Sequence, residues 1–283
     1  MNRFCLIGEH LSHSLSAVIH QRLFAMLGVE GSYDLREIPR DEAGRVVSRL
    51  ADEGYDGFNV TIPYKEVVPP QLDGLSAEAA AIGAVNTVLL RPTCAAGPGA
   101  PCQRTGYNTD YAGFGRMLES ARIDARGGTA AILGMGGAYR AAAAYLLDHG
   151  VELLYAVTRH PEREAGRQTN PRLRVVGYDA LGGLSGALLV NATPVGMFPH
   201  AGVSPVGAEI ISRFDAAADL IYNPKETEFL RLARQAGLAA VNGMTMLVAQ
   251  AVAAEEIWLG RGIDAEITRR LAEEMAGYLE GNV

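Results

Sequence analysis

Residues 129–150 read TAAILGMGGAYRAAAAYLLDHG. A short apolar run enters a glycine turn, and the turn opens an alanine-rich segment with helical spacing. A buried strand, a tight turn and a helix in that order begin a βαβ unit. Glycines let the backbone approach a pyrophosphate, and a helix N-terminus adds free N–H groups and the positive end of its dipole. The strict G-x-G-x-x-G spacing is not met, because Tyr139 stands at the third glycine position. A helix that needs only a tight entry turn reads the same way.

The next strand sharpens the reading. A unit that binds NAD ends its second strand with a carboxylate, about 20 residues past the glycines, for the ribose 2′-OH. Here VELLYAV (151–157) ends in Thr158-Arg159-His160-Pro161-Glu162-Arg163. No carboxylate stands at the tip, and two arginines are offered. Guanidinium matches a 2′-phosphate in charge and fork geometry. NADP is therefore expected over NAD, with two solvated loop arginines as the plain alternative.

Outward from this unit the chain keeps alternating. RLRVVGY (172–178), ALLVNAT (187–193) and AADLIY (217–222) read as further strands, and ETEFLRLARQAG (226–237) as a helix closed by Gly237. Upstream, NRFCLIG (2–8), SYDLREI (32–38), GFNVTIP (57–63) and AVNTVLL (84–90) read as strands. Between them lie helical patterns over 14–28, with a serine available as cap, over 41–54 from an acidic cap, and over 76–83. Residues 92–104 form a Pro/Gly-rich hairpin loop, and two helical patterns, 244–258 and 264–279, close the chain. The expected class is α/β: a mostly parallel N-terminal domain beside a doubly wound nucleotide-binding domain, with ligands in a cleft between them. The domains are placed at 1–110 with 244–283, and at 111–243.

Bulk properties exclude several partners. The 283 residues carry a net charge of −7, which argues against nucleic acid or an anionic membrane. No run approaches the roughly 20 apolar residues of a membrane span, and MNRFCLIGEH has no secretory signal pattern. A cytoplasmic protein, monomer or homodimer, with a small-molecule substrate is expected. Cys5, Cys94 and Cys102 suit free thiols, although Cys94 and Cys102 flank the loop and could bridge it. The close pair His10 and His13 lacks a ligand motif, so no metal site is expected.

GFNVTIPYKE (57–66) places Lys65 just past a strand that Pro63 stops, and GYNTDYAGF (106–114) places Asp110 at another strand tip. In one cleft they would form an acid/base pair, the carboxylate tuning an amine that shuttles a proton. On spacing alone they read equally as a surface ion pair.

The motifs NVTIPYK, GAVNTV, GYNTD, GMGGA, NATPVGM, DLIYNP and NGMTMLVAQA follow in this order across nearly the whole chain. Together they resemble the shikimate dehydrogenase family. The resemblance implies a substrate domain, a Rossmann domain for NADP, C-terminal helices returning to the first domain, and reversible reduction of 3-dehydroshikimate to shikimate. It makes Lys65 and Asp110 the catalytic pair and gives Ser14 and Ser16 the substrate carboxylate, where helix-start N–H groups also favour an anion. A serine there reads equally as an N-cap. Asn59, Thr61, Asn86 and Gln250 match positions around the ring hydroxyls, and Tyr222 one near substrate and nicotinamide. Gln250 shares an apolar helical stripe with Met246 and Leu247, so its amide wants a partner. Gly134, Gly136, Gly137 and Ala138 match the pyrophosphate turn. Thr158, Arg159 and Arg163 match the adenosine-phosphate clasp, with Thr158 where asparagine is usual. Thr193, Met197 and Gly243 match the nicotinamide side. Ala17, Tyr111 and the wording NGMTML depart from the family pattern at the substrate and nicotinamide edges, which leaves open a quinate or amino-shikimate variant. A sensor that binds NADP without chemistry is the reading from another class.

Overall fold

The computed structural model describes residues 1–12, 14–92, 102–164 and 170–281. Cys94, and with it any bridge to Cys102, lies outside them, as does His13. The chain divides into two compact units, residues 1–109 with 250–271, and residues 110–249 with 272–283.

In chain order the first part runs β1 (Asn2–Gly8), α1 (Ser16–Leu27), β2 (Gly31–Glu37), α2 (Val46–Asp52), β3 (Gly57–Val60), β4 (Gly74–Leu75), α3 (Ala77–Ile82), β5 (Thr87–Pro92), β6 (Cys102–Tyr107) and α4 (Thr109–Ser120). Its six-stranded sheet has the order β2-β1-β3-β5-β6-β4. β1 pairs in parallel with β2 and β3, whereas β5 runs antiparallel to both its neighbours. One core packs Cys5, Ile7, Val47, Leu50, Phe58, Tyr64, Val85 and Val88. Another packs Phe4, Phe24, Tyr33 and Trp258. The Trp258 ring stacks on Phe4 at 4.2 Å and its N–H donates to the Val88 carbonyl at 2.9 Å, so the large ring is buried with its polar atom satisfied.

Three local features differ from expectation. The helix read over 41–54 begins as a 3₁₀ turn at Ala43–Arg45, and α2 follows only from Val46. No acidic cap starts α2; the Gln71 carbonyl oxygen instead accepts from the Val47 N–H. The serine pair supplies no side-chain N-cap to α1 either, since Leu15 holds that position and Ser14 Oγ accepts from the Ser16 N–H at 3.2 Å. The strand read over 57–63 ends at Val60, where the Tyr64 N–H closes onto the Thr61 carbonyl and starts a turn.

The second part runs β7 (Thr129–Leu133), α5 (Tyr139–Asp148), β8 (Leu153–Val157), β9 (Leu173–Val176), β10 (Gly186–Asn191), α6 (Ala208–Ile211), β11 (Phe214–Asp219), α7 (Glu228–Gln235), β12 (Ala239–Val241), α8 (Met244–Leu259) and α9 (Ala265–Gly281). All its strand pairs are parallel, in the order β12-β11-β10-β7-β8-β9. That is a doubly wound Rossmann sheet with its switch point between β7 and β10. Strands covered on both faces must be apolar throughout, and the side chains of Ala130–Leu133 and Leu188–Val190 are fully buried. No helix among the described residues is long and apolar enough to cross a membrane.

Candidate active site

In the first unit the ends of β3 and β6 meet the start of β5 side by side. The Val60 N–H donates to the Asn86 carbonyl and the Asn86 N–H to the Tyr107 carbonyl, which fixes the three chains side by side. Side chains then interlock. The Asn59 amide donates to Thr87 Oγ1 at 2.9 Å and to the Asn86 carbonyl at 3.2 Å. Asn86 Oδ1 accepts from the Thr109 N–H at 2.7 Å, from the Thr109 hydroxyl and from the Thr87 hydroxyl. The Asn86 amide donates to Gln250 Oε1 at 3.4 Å, so Gln250 does find a polar partner on its apolar helix. Asn86, Thr87 and Thr109 are buried, while Asn59 and Gln250 are half-buried and retain access.

Lys65 sits in the 3₁₀ turn Tyr64–Glu66, not directly at a strand end. The turn is anchored from below: Tyr64 is buried and its hydroxyl donates to the Ile38 carbonyl. The Lys65 carbonyl accepts from the Val85 N–H at 2.9 Å, which ties the lysine's backbone to the residue just before Asn86. Thr61, half-buried, starts the same turn. Asp110 lies in the first turn of α4, where a strand tip is the sequence expectation, because Asn86 Oδ1 draws Thr109 into the helix start. Its side chain is 4 % exposed. A carboxylate in a first helical turn is favoured by the dipole.

In the second unit the loop 134–138 joins β7 to α5. Gly134 has φ +89, and a Cβ there would lie 2.8 Å from Thr193 Cγ2 and close to the Ala192 carbonyl. A glycine is thus required where the ends of β7 and β10 approach at the switch point. Gly137 faces open space, and α5 starts with neither a capping side chain nor an acidic residue in its first turn. An uncapped helix start above a glycine turn fits a pyrophosphate. At the tip of β8, Thr158 Oγ1 accepts from the His160 N–H, and Arg159 and Arg163 are both exposed. Beside the switch point, Asn191 Oδ1 accepts from the Thr193 N–H at 3.0 Å and hydroxyl at 2.7 Å. Met197 is exposed, and Tyr222 lies past the end of β11, half-buried, its phenol pushed up by burial. Gly243 admits no side chain, since a Cβ would strike the Leu220 carbonyl.

Several residues of these networks have roles that only the fold shows. Asp219 is fully buried and accepts from the Thr227 hydroxyl at 2.6 Å, the Asn191 amide at 3.0 Å and the Ile221 N–H at 3.0 Å. It holds Asn191, and through it Thr193. Burial raises the Asp219 carboxyl to about 6, against the pull of those three donors. Thr87 and Thr109 sit inside the quoted motifs GAVNTV and GYNTD, yet only the fold shows that both bind Asn86. Tyr33 donates to Asn59 Oδ1 at 2.7 Å from a strand with no motif at all.

Residues 6–88 match the family model described as the shikimate dehydrogenase substrate binding domain. The NADP-dependent shikimate dehydrogenase of Clostridium beijerinckii is 40% identical over 271 residues, covering 96% of this chain and 97% of that protein. A chorismate mutase/shikimate 5-dehydrogenase fusion protein from Clostridium acetobutylicum superposes with a TM-score of 0.90 at 41% identity, over 99% of each chain. The shikimate 5-dehydrogenase of Thermus thermophilus, in complex with NADP(H) and shikimate, superposes with a TM-score of 0.82 at 35% identity, over 97% of this chain and 99% of that one.

Proposed function

The chain belongs to the shikimate dehydrogenase family, and on that premise we propose that it interconverts 3-dehydroshikimate and shikimate with NADP. The observation that carries this reading is the interlocked amide and hydroxyl set of Asn59, Asn86, Thr87, Thr109 and Gln250 beside the anchored Lys65 turn. Such a set suits a small polyhydroxylated ring, because each amide is held in one orientation before a ligand arrives.

Ser14 and Ser16, at the start of α1, take the carboxylate with their hydroxyls and the helix-start N–H groups. Asn59, Thr61, Asn86 and Gln250 take the ring hydroxyls. Lys65 exchanges a proton with the oxygen at C3, giving it as the carbonyl is reduced and receiving it as the alcohol is oxidised. Asp110 is the carboxylate assigned with it to that proton exchange. NADP, when bound, supplies or accepts the hydride. Gly134, Gly136, Gly137 and Ala138 cradle its pyrophosphate, Arg159 and Arg163 clasp the 2′-phosphate beside Thr158, and Thr193, Met197, Tyr222 and Gly243 line the nicotinamide side. An acidic chain whose Cys5 is a buried free thiol suits a reducing cytoplasm.

The test is direct: purified protein is mixed with shikimate and NADP⁺, and the nicotinamide absorbance is followed. Steady reduction is expected. Absence of reduction at millimolar shikimate, with NADP⁺ shown to bind, overturns the reading.

A further inference from the structure

Tyr33, on β2, is 4 % exposed and lies deep beneath the substrate set. Its ring stacks on His20 at 3.9 Å and 7°. His20 is tied in turn by a 2.6 Å contact from Nδ1 to Glu255 Oε1, with both side chains buried. The phenol is therefore clamped in place. Its hydroxyl donates to Asn59 Oδ1 at 2.7 Å.

We propose that Tyr33 is a positioning residue of the substrate subsite: its phenol orients Asn59, and so sets which partner that amide offers the ligand. This rests on the reading that Asn59 holds the substrate. A phenol has a single hydrogen to give, and it goes to Asn59 Oδ1. Both Asn59 amide hydrogens are already used, on Thr87 Oγ1 and the Asn86 carbonyl. What Asn59 can still offer is the second lone pair of Oδ1, so it accepts from a ring hydroxyl and cannot donate to one. Asn86 is its converse. Its oxygen is occupied by Thr87 and Thr109, and of its two amide hydrogens one goes to Gln250. The other is a donor for a substrate oxygen. An acceptor and a donor of fixed orientation then face the ring together. Burial pushes the Tyr33 phenol well above its ordinary range, so it stays protonated and remains a donor at any assay pH.

Tyr33→Phe keeps the ring and its stack on His20 and removes only the oxygen. The expected result is a rise of about tenfold in the KM for shikimate, with the KM for NADP⁺ changed by less than about twofold. Loss of folded protein alone would lower kcat at unchanged KM. In an Asn59→Ala background, adding Tyr33→Phe should change the shikimate KM by less than about twofold, since the phenol has lost the group it acts through. An unchanged KM in the single variant, or the same tenfold rise in that background, overturns the proposal. A second measurement needs no variant. Fluorine cannot donate, so among monofluoro analogues replacing each ring hydroxyl in turn, one should bind the wild-type protein about tenfold more weakly than shikimate. Equal binding by all of them overturns the assigned polarity. A wild-type protein that neither binds nor oxidises shikimate overturns the proposed function and this inference together. An active wild type with an unmoved Tyr33→Phe overturns the inference alone.

Discussion

At the ends of β3 and β5, Asn59 and Asn86 direct their amides to protein partners supplied from β2, β5, α4 and α8. At the end of β7, the loop 134–138 works through backbone, with glycines and an uncapped helix start. The first region is set by side chains that fix one another, and the second by a chain path that leaves N–H groups exposed. A ring with several hydroxyls demands fixed donors and acceptors, because each unmatched buried polar group costs about 1–3 kcal/mol. A pyrophosphate demands only converging N–H groups and room. On the proposed function, chemistry and orientation fall to the first region, and cofactor affinity and selectivity to the second.

The largest effect that would break this contrast is expected at Lys65. Lys65→Ala should lower turnover by roughly 10³-fold, within the range for a lost general acid/base, while the Kd for NADP⁺ measured by calorimetry stays within about twofold. Near-normal turnover would remove the lysine from the chemistry.

A smaller effect concerns Asp219, which braces Asn191 and Thr193 in the second region. Its carboxyl sits at about 6 when folded, against an ordinary value near 3.8. Between those values the folded state holds more protons than the unfolded state, so its contribution to stability falls as pH rises through that window. Over the full window the loss is about 3 kcal/mol, at roughly 1.4 kcal/mol per pH unit. Denaturant titrations at pH 4 and pH 7 should show this fall in the wild type and not in Asp219→Asn, and the same pH dependence in both would contradict it.

The smallest effect sharpens the contrast from the cofactor side. Arg159→Ala/Arg163→Ala should weaken NADP⁺ by about 30-fold, on the order of two charge-assisted contacts, with NAD⁺ and shikimate affinities little changed. Equal losses for both nucleotides would mean that the arginines do not read the 2′-phosphate.

The same contrast explains what the sequence made legible. GMGGA and the arginines after β8 are contiguous or nearly so, and their chemistry follows from residue type and order. The doubly wound order of the second sheet follows from its apolar runs. The Asn86 cluster draws on partners that are distant in the chain: Thr109 is 23 residues away and Gln250 164. Tyr33 reaches Asn59 across 26 residues and His20 reaches Glu255 across 235, and no periodicity encodes either pairing. Lys65 and Asp110 stand out as residues, but their settings in a 3₁₀ turn and a first helical turn depend on Val85 and Asn86 from another strand. The bonds that tie Tyr33 to Asn59, and Thr109 and Gln250 to Asn86, emerge only once strands are paired.

The measurement that bears most directly on the whole account is a two-by-two comparison of kcat/KM for the wild-type protein, with shikimate or quinate against NADP⁺ or NAD⁺. The account predicts that shikimate with NADP⁺ exceeds each of the other three pairs by at least about tenfold. Equal use of NAD⁺ would contradict the arginine clasp, and a preference for quinate would contradict the substrate assigned to the Asn59–Asn86 set.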